Sequence, residues 1–174
     1  DSLLFELLES LILANYRLGQ FAEAESLTSE AISLARLSGD ESKETDLMLS
    51  LGESYMLSGL PEQALAAYAG ALNGAVELER TRDEAYLTGR MGIALAELSR
   101  IDEAMGYHRR AIELAQQREI PDLEGEQLSM LAFAYLEKQD FDRARTHCLK
   151  AIDVLTNAGL TESADNARAL LEKI

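Results

Sequence analysis

The chain has 174 residues, of which 31 are acidic and 16 are basic, so its formal net charge at pH 7 is −15. This balance argues against a nucleic-acid-binding protein and against docking on anionic lipid, because both rely on clusters of Lys and Arg. One cysteine excludes an internal disulfide, and one cysteine with two histidines cannot form an ordinary closed zinc site.

No apolar run reaches the ~20 residues of a membrane span, and the start lacks the basic region of a signal peptide. We therefore expect a cytoplasmic localisation. Because the first residue is aspartate rather than methionine, we also expect a piece of a longer or processed protein.

An internal repeat of forty residues organises the sequence. The segments 18–35, 58–75, 98–115 and 138–155 align without a gap. Three columns carry the alignment: an alanine, a second alanine seven residues later, and an apolar residue three before the first. Their members are Ala24, Ala64, Ala104 and Ala144; Ala31, Ala71, Ala111 and Ala151; and Phe21, Pro61, Ile101 and Phe141.

Each repeat is predicted to form two helices, because its apolar residues recur at steps of three and four, as in Leu47, Leu51 and Tyr55. Short polar joints separate the two helices of a pair. Pro61 suits a first helical position, and Asp140 suits a helix N-cap. The stretches 38–40 and 119–122 predict longer connections between repeats, and residues 161–174 predict a ninth amphipathic helix.

Small residues at fixed places predict close helix crossings, because only a small side chain fits where two helices approach to roughly 8–10 Å. The alanine columns supply such residues, and Gly52, Gly92 and Ala132 supply them on the first helix of their pairs. Ile12 interrupts this column in the first repeat, which predicts that the first pair is wider.

These columns resemble the tetratricopeptide repeat (TPR), which has a small residue and an aromatic in its first helix and two alanines in its second. The second repeat matches best, at Leu51, Gly52, Tyr55, Gly59, Ala64, Tyr68, Ala71 and Leu72. With forty-residue repeats, the chain looks like the TPR domains of Pins-type adaptors, kinesin light chains and bacterial regulators.

The resemblance implies an all-α, right-handed α-solenoid of four TPR-type helix hairpins with a C-terminal capping helix. We expect a single TPR domain over residues 1–174. Its repeats would cover approximately 3–38, 41–80, 82–119 and 121–158, with the terminal helix at 161–174.

The resemblance also implies a concave groove lined by the first helix of each repeat. Its predicted lining residues are Glu9, Leu13, Tyr16, Leu49, Glu53, Met56, Tyr86, Arg90, Ile93, Met130, Phe133 and Leu136. Such a mixture suits a peptide or amphipathic helix of a protein partner. Residues 1–60 carry 3 basic and 11 acidic side chains, so a basic partner would be attracted.

The sequence is also compatible with functions other than an interaction scaffold. The groove residues could instead pack against neighbouring helices, and the carboxylates could form a solvated surface. The chain could be a ligand- or peptide-sensing regulatory domain of a larger signalling or transcription-regulator protein. It could also be a self-association module, a homo-oligomer formed through an N-terminal helix rich in leucine at Leu3, Leu4, Leu7, Leu8 and Leu11.

The sequence predicts no enzyme, cofactor or metal site, since it contains no phosphate-binding glycine loop, zinc-protease motif or nucleophile elbow. Cys148 and His147 are adjacent, so on a helix they point roughly 100° apart and do not form a nucleophile–base pair. Cys148 shares a column with Tyr68 and His108, which predicts a buried, inert thiol. His108 is expected at a solvated or inter-repeat surface.

Overall fold

The computed structural model describes residues 2–174, without the side chains of Ser2, Leu3, Glu6, Glu9 and Tyr16. Within this range the chain forms nine α-helices and no strand. They are α1 (Ser2–Arg17), α2 (Phe21–Ser38), α3 (Glu41–Leu57), α4 (Pro61–Glu77), α5 (Thr81–Glu97), α6 (Ile101–Gln117), α7 (Pro121–Glu137), α8 (Phe141–Asn157) and α9 (Thr161–Leu171).

The helices follow one another as antiparallel hairpins, as the repeat predicts. They belong to two compact units, Asp1–Glu79 with α1–α4 and Arg80–Ile174 with α5–α9. None of the described helices is long and apolar enough to cross a membrane. The all-α, TPR-like architecture is therefore confirmed.

The predicted helix starts agree with the structure. Pro61 is the first residue of α4, and Asp140 caps α8 by accepting a 3.2 Å hydrogen bond from the Arg143 backbone N–H. The end of α9 differs, because this helix stops at Leu171 before the predicted end at Ile174.

The connections between repeats are not longer than those within them, so this prediction is wrong. Residues 118–120 join α6 to α7, just as residues 98–100 join α5 to α6. Each of the helices α3 to α8 has 17 residues. The forty-residue repeat therefore consists of two structurally similar halves of twenty residues.

A left-handed residue in each connection produces this regular spacing. Gly59 has a φ of 70°, and Ser99, forty residues later, has a φ of 58°. In the latter connection the Arg100 N–H donates to the Leu95 carbonyl at 2.9 Å. This is the bond that ends a helix in a Schellman motif. Arg100 is also the N-cap of α6, so one residue ends a helix and begins the next.

The core of each unit lies where its hairpins stack. In the first unit Phe5, Leu8, Ile12, Ile32 and Leu47 form a buried cluster. In the second, leucines of α7 and α8 pack with the buried alanines of α9. The eight alanines of the two repeat columns are at most 1 % exposed, which agrees with the close helix contacts expected of them.

Across the four hairpins, one position on the first helix faces one position on the second helix. Where the first of these positions holds glycine, the second holds a large ring, and where the first holds a larger residue, the second holds a smaller one. A methyl group at Gly52 would overlap the Tyr68 ring, and a Cβ at Gly92 would lie 2.7 Å from His108 Cε1. The same two positions hold the smaller pair Ala132 and Cys148 in the last hairpin, and Ile12 and Thr28 in the first. All six of these side chains are buried, so a large residue on one helix is balanced by a small one on the other.

Candidate functional site

A pocket of about 530 Å³ opens in the first unit between α1 and α3, with Thr28 of α2 also in its lining. Buried Ile12, Leu47 and Thr28 contribute to it, together with exposed Leu13 and Leu57. Its remaining lining residues are Asp46, Leu49, Ser50, Glu53 and Ser54. Its aliphatic lining provides space for an apolar side chain of a ligand.

Carboxylates add an acidic character to this pocket. Asp46 and Glu53 both line it, each one turn or less from a leucine of the same helix. The Tyr68 hydroxyl, from buried Tyr68 on α4, donates to Glu53 Oε1 at 3.0 Å and holds that carboxylate in place. The pocket therefore combines an aliphatic surface with negative charge, a combination that favours an apolar side chain beside a cationic one.

The predicted groove residues of the first unit are partly brought together. Leu13, Leu49 and Glu53 line the same pocket, whereas Met56 is half-buried on α3 and does not belong to its lining. The side chains of Glu9 and Tyr16 lie outside the described residues, so their place in the groove stays a prediction.

The predicted groove residues of the second unit lie on the first helices of its hairpins. The guanidinium of Arg90 lies 5.9 Å from the centre of the Tyr86 ring on α5. Phe133 on α7 is 47 % exposed, so much of its ring is accessible to solvent. The other members, Ile93, Met130 and Leu136, are half-buried, and Leu136 also packs against the core.

Several pocket residues were not among the predicted groove residues, namely Ile12, Thr28, Asp46, Leu47, Ser50 and Ser54. Thr28 comes from the second helix of its hairpin, which the resemblance does not place in the groove. It faces the pocket because this hairpin has Ile12 where the others have glycine or alanine, and a small residue opposite it. The interruption of the small-residue column at Ile12 was the available signal.

Neither His108 nor Cys148 is a surface group. His108 is 2 % exposed, and its Nδ1 lies 2.8 Å from Oε1 of the equally buried Gln127 on α7, a hydrogen bond in which Nδ1–H donates. The prediction of a solvated His108 is wrong, while its inter-repeat position is confirmed. Burial lowers the pKa of His108 and raises the pKa of Cys148, so the thiol stays protonated and inert, as predicted.

No protein-family model matches this chain, and no curated protein matches its sequence. Solved structures do match its fold. The apo form of RapI superposes with a TM-score of 0.84 at 15 % identity, over 96 % of this chain and 61 % of RapI. A STAND protein with a tetratricopeptide repeat sensor from Pyrococcus horikoshii gives a TM-score of 0.86 at 16 % identity, over 96 % of this chain and 26 % of that protein.

A putative kinesin light chain from Podosopora anserina, with TPR-like repeats, superposes with a TM-score of 0.78 at 13 % identity. That match covers 97 % of this chain and 83 % of the other. By its structure this chain is a TPR-like helical repeat protein that resembles Rap proteins, kinesin light chains and bacterial TPR domains. The fold is one that commonly serves protein interaction.

Proposed function

We propose that this chain is an interaction scaffold that binds a peptide or amphipathic helix of a protein partner on the first helices of its repeats. The observation that carries the proposal is the aliphatic pocket between α1 and α3, which includes the predicted groove residues Leu13, Leu49 and Glu53. An apolar side chain of the partner fills this pocket, and a neighbouring basic residue meets Asp46 and Glu53. Burying one large aliphatic side chain in this way stabilises a complex by roughly 1.5–3 kcal/mol.

The test uses two exposed leucines that each lie in the last turn of a helix. Leu57 lines the pocket and is 76 % exposed, whereas Leu37 lies on α2, outside the pocket lining, and is 86 % exposed. An array of amphipathic peptides that carry leucine and lysine is probed with the purified chain, and affinities are measured by fluorescence anisotropy. We expect Leu57→Asp to weaken binding about tenfold or more and Leu37→Asp to leave it unchanged.

Two results contradict the proposal: equal binding by Leu57→Asp and the unmodified chain, or no binding to any peptide of the array. Phe133→Ala extends the test to the second unit. A loss of affinity in that variant assigns the predicted residues of α5 and α7 to the same function.

We also infer that the chain is not itself an enzyme, since its one thiol is buried and protonated and His108 is buried beside Gln127.

A second candidate function is that of a sensory domain in a larger regulatory protein. It is favoured by the structural likeness to the tetratricopeptide repeat sensor of the P. horikoshii protein. A complete reading frame with no DNA-binding, kinase or cyclase segment would remove this candidate.

Self-association is supported by a different observation. Leu4, Leu7 and Leu11 recur on one side of α1 and are 41 % to 56 % exposed, whereas Leu47, at the position of Leu7 in the second repeat, is 5 % exposed. An apolar stripe of this kind favours contact with a second copy of the chain.

A further inference from the structure

The exposed leucines of α1 follow a spacing that is typical of a contact between two helices. Leu4, Leu7, Leu11 and Ala14 are separated by steps of three, four and three residues, so they form one line along the helix. All four of these side chains are exposed. We refer to these four residues as the α1 seam. Such a line packs best against another helix with the same spacing.

The later repeats use the same line of their first helix differently. All three have a glutamate at the position of Leu4: Glu44, Glu84 and Glu124. The second helix of the preceding repeat binds two of these carboxylates. Glu44 pairs with Arg36 of α2 at 2.6 Å, and Glu124 accepts a hydrogen bond from Gln116 of α6 at 2.7 Å. Leu4 makes no such polar contact, so the α1 seam suits an apolar helix better than a further hairpin of this repeat.

Charge also distinguishes the α1 seam from the rest of the chain. Among the described side chains of α1, the exposed ones are neutral except Arg17 in the last turn. The chain as a whole has a net charge of −15, so two copies repel one another at long range. A neutral, apolar helix face is therefore the kind of surface on which two copies can meet.

A cavity adjoins the second half of the α1 seam. It has a volume of about 860 Å³ and lies between the end of α1 and the start of α2. Leu11 and Asn15 line it from α1, and Phe21 and Leu27 add apolar surface from α2. Of its described lining residues only Glu23 is charged. The cavity therefore has space for an aliphatic side chain that arrives along the seam.

The terminal helix α9, which the structure describes along its whole length, presents a polar surface. Apart from Ala169, its exposed side chains are those of Thr161, Glu162, Ser163, Asp165, Asn166 and Arg168. Head-to-tail contact of α1 with α9 of another copy would bury these polar groups against leucine, which is unfavourable. Contact between two α1 helices buries leucine against leucine instead.

We propose that α1 pairs with α1 of a second copy in an antiparallel, two-fold symmetric arrangement. The inference rests on the self-association proposed above and specifies its surface and its geometry. Leu7 of one copy packs against Leu11 of the other, and Leu4 packs against Ala14. The leucines therefore meet at the centre of the seam, and a large side chain faces a small one at each end.

The antiparallel direction follows from the positions of the leucines and the cavity. Leu4 and Leu7 lie in the first half of α1, whereas the cavity adjoins Leu11 in the second half. An antiparallel pair brings the first half of one α1 to the cavity of the other copy. A parallel pair would instead set Ala14 against Ala14 and leave a gap between the helices.

The pocket between α1 and α3 stays accessible in this pair. Ile12 and Leu13, which line that pocket, follow Leu11 by rotations of about 100° and 200° around the helix, away from the α1 seam. The two-fold pair therefore presents two peptide pockets. A partner with two binding segments would bind both of them more tightly than either alone.

Disulfide crosslinking tests the pairing, because the one native thiol, Cys148, is fully buried and does not interfere. Leu7→Cys and Leu11→Cys are prepared separately, one of them with an affinity tag, and are oxidised alone or as a mixture. We expect the mixture to form a disulfide-linked dimer roughly tenfold faster than either variant alone, because the antiparallel pair holds the two thiols at a high effective concentration. Leu18→Cys, exposed in the connection after α1, is the matched control. Mixing it with Leu11→Cys should not accelerate crosslinking.

Sedimentation equilibrium of the unmodified chain provides a second measurement. We expect the mass to rise with concentration to that of two chains and no further, since a two-fold contact is closed. Growth beyond two chains, or crosslinking of each variant alone as fast as the mixture, overturns the antiparallel pair while self-association is retained. A chain that remains monomeric overturns both. The peptide pocket is tested separately by Leu57→Asp.

Discussion

At the scale of single residues, the left-handed position in each connection is the most demanding feature of this chain. Gly19, Gly39, Gly59 and Gly159 occupy it, but Glu79, Ser99, Glu119 and Gln139 occupy the equivalent positions with φ between 55° and 59°. A side chain with a Cβ is disfavoured in this region by roughly 1–2 kcal/mol. The motif is maintained because hydrogen bonds on both sides determine its backbone geometry.

Ser99→Gly should stabilise the chain. The glycine removes the conformational cost of the left-handed residue, but it also increases the conformational entropy of the unfolded chain. The net stabilisation is therefore about 0.5–1 kcal/mol. Urea unfolding followed by circular dichroism measures this change. Gly59→Ala is the converse control and should destabilise by a similar amount, since Gly59 has a φ of 70°. A destabilised Ser99→Gly variant would contradict this account of the connection.

Much of this residue-scale detail was predictable from the sequence. The alanine columns, Pro61 and Asp140 are local signals, because each depends on a helix crossing or a helix terminus that the repeat itself defines. The left-handed Ser99 was predictable only from its alignment with Gly59, since serine itself carries no preference for that conformation. The contacts that Tyr135 makes with Arg109 and His147 join side chains from three helices, so no local pattern reveals them.

At the scale of helices, the contact between α6 and α7 depends on a buried polar pair. His108 and Gln127 are each almost fully buried and satisfy one another across the boundary between two repeats. A buried imidazole stabilises the folded state only in its neutral form, because a charged group is costly away from water.

The stability of the second unit should therefore fall as the pH drops. Burial places the pKa of His108 below its unfolded value of about 6.5, so the unfolded chain binds the proton more readily. The stabilisation by neutral His108 is fully present above that value and is lost as the pH falls from it toward the folded pKa.

We expect the free energy of unfolding to decrease between about pH 7.5 and about pH 5.5 in the unmodified chain and to change less in His108→Gln. Denaturant titrations at these pH values measure the difference. His147→Gln is the control, because that histidine is half-buried at the surface and its Nδ1 hydrogen-bonds to the exposed Arg143 backbone carbonyl. Identical pH dependence in the unmodified chain and His108→Gln would contradict the assignment.

The two-helix repeat was recognisable at this scale because its small residues recur every forty positions. The twenty-residue half-repeat was not, since the first and second helices of a hairpin share a length but not a residue pattern. Groove membership was only partly predictable. Leu13, Leu49 and Glu53 meet in one pocket, but the pocket exists where one hairpin departs from the repeat, at Ile12 and Thr28.

At the scale of the whole molecule, two properties oppose each other. The net charge of −15 repels a second copy, while the exposed leucines of α1 attract one. Salt screens the repulsion over roughly 10 Å at 0.1 M and leaves the apolar contact intact. Self-association through α1 should therefore strengthen as salt is added.

Sedimentation velocity over a concentration series, at low and at moderate sodium chloride, tests this expectation. We expect the average mass to rise with protein concentration, and to rise further with salt. Leu7→Gln combined with Leu11→Gln should shift the association to about tenfold higher concentration or more, since each buried leucine contributes roughly 1.5–3 kcal/mol. Leu18→Gln is the matched control, because Leu18 is 72 % exposed in the connection after α1. A chain that remains monomeric throughout, or whose association weakens with salt, would show that the leucine stripe of α1 does not bind a second copy.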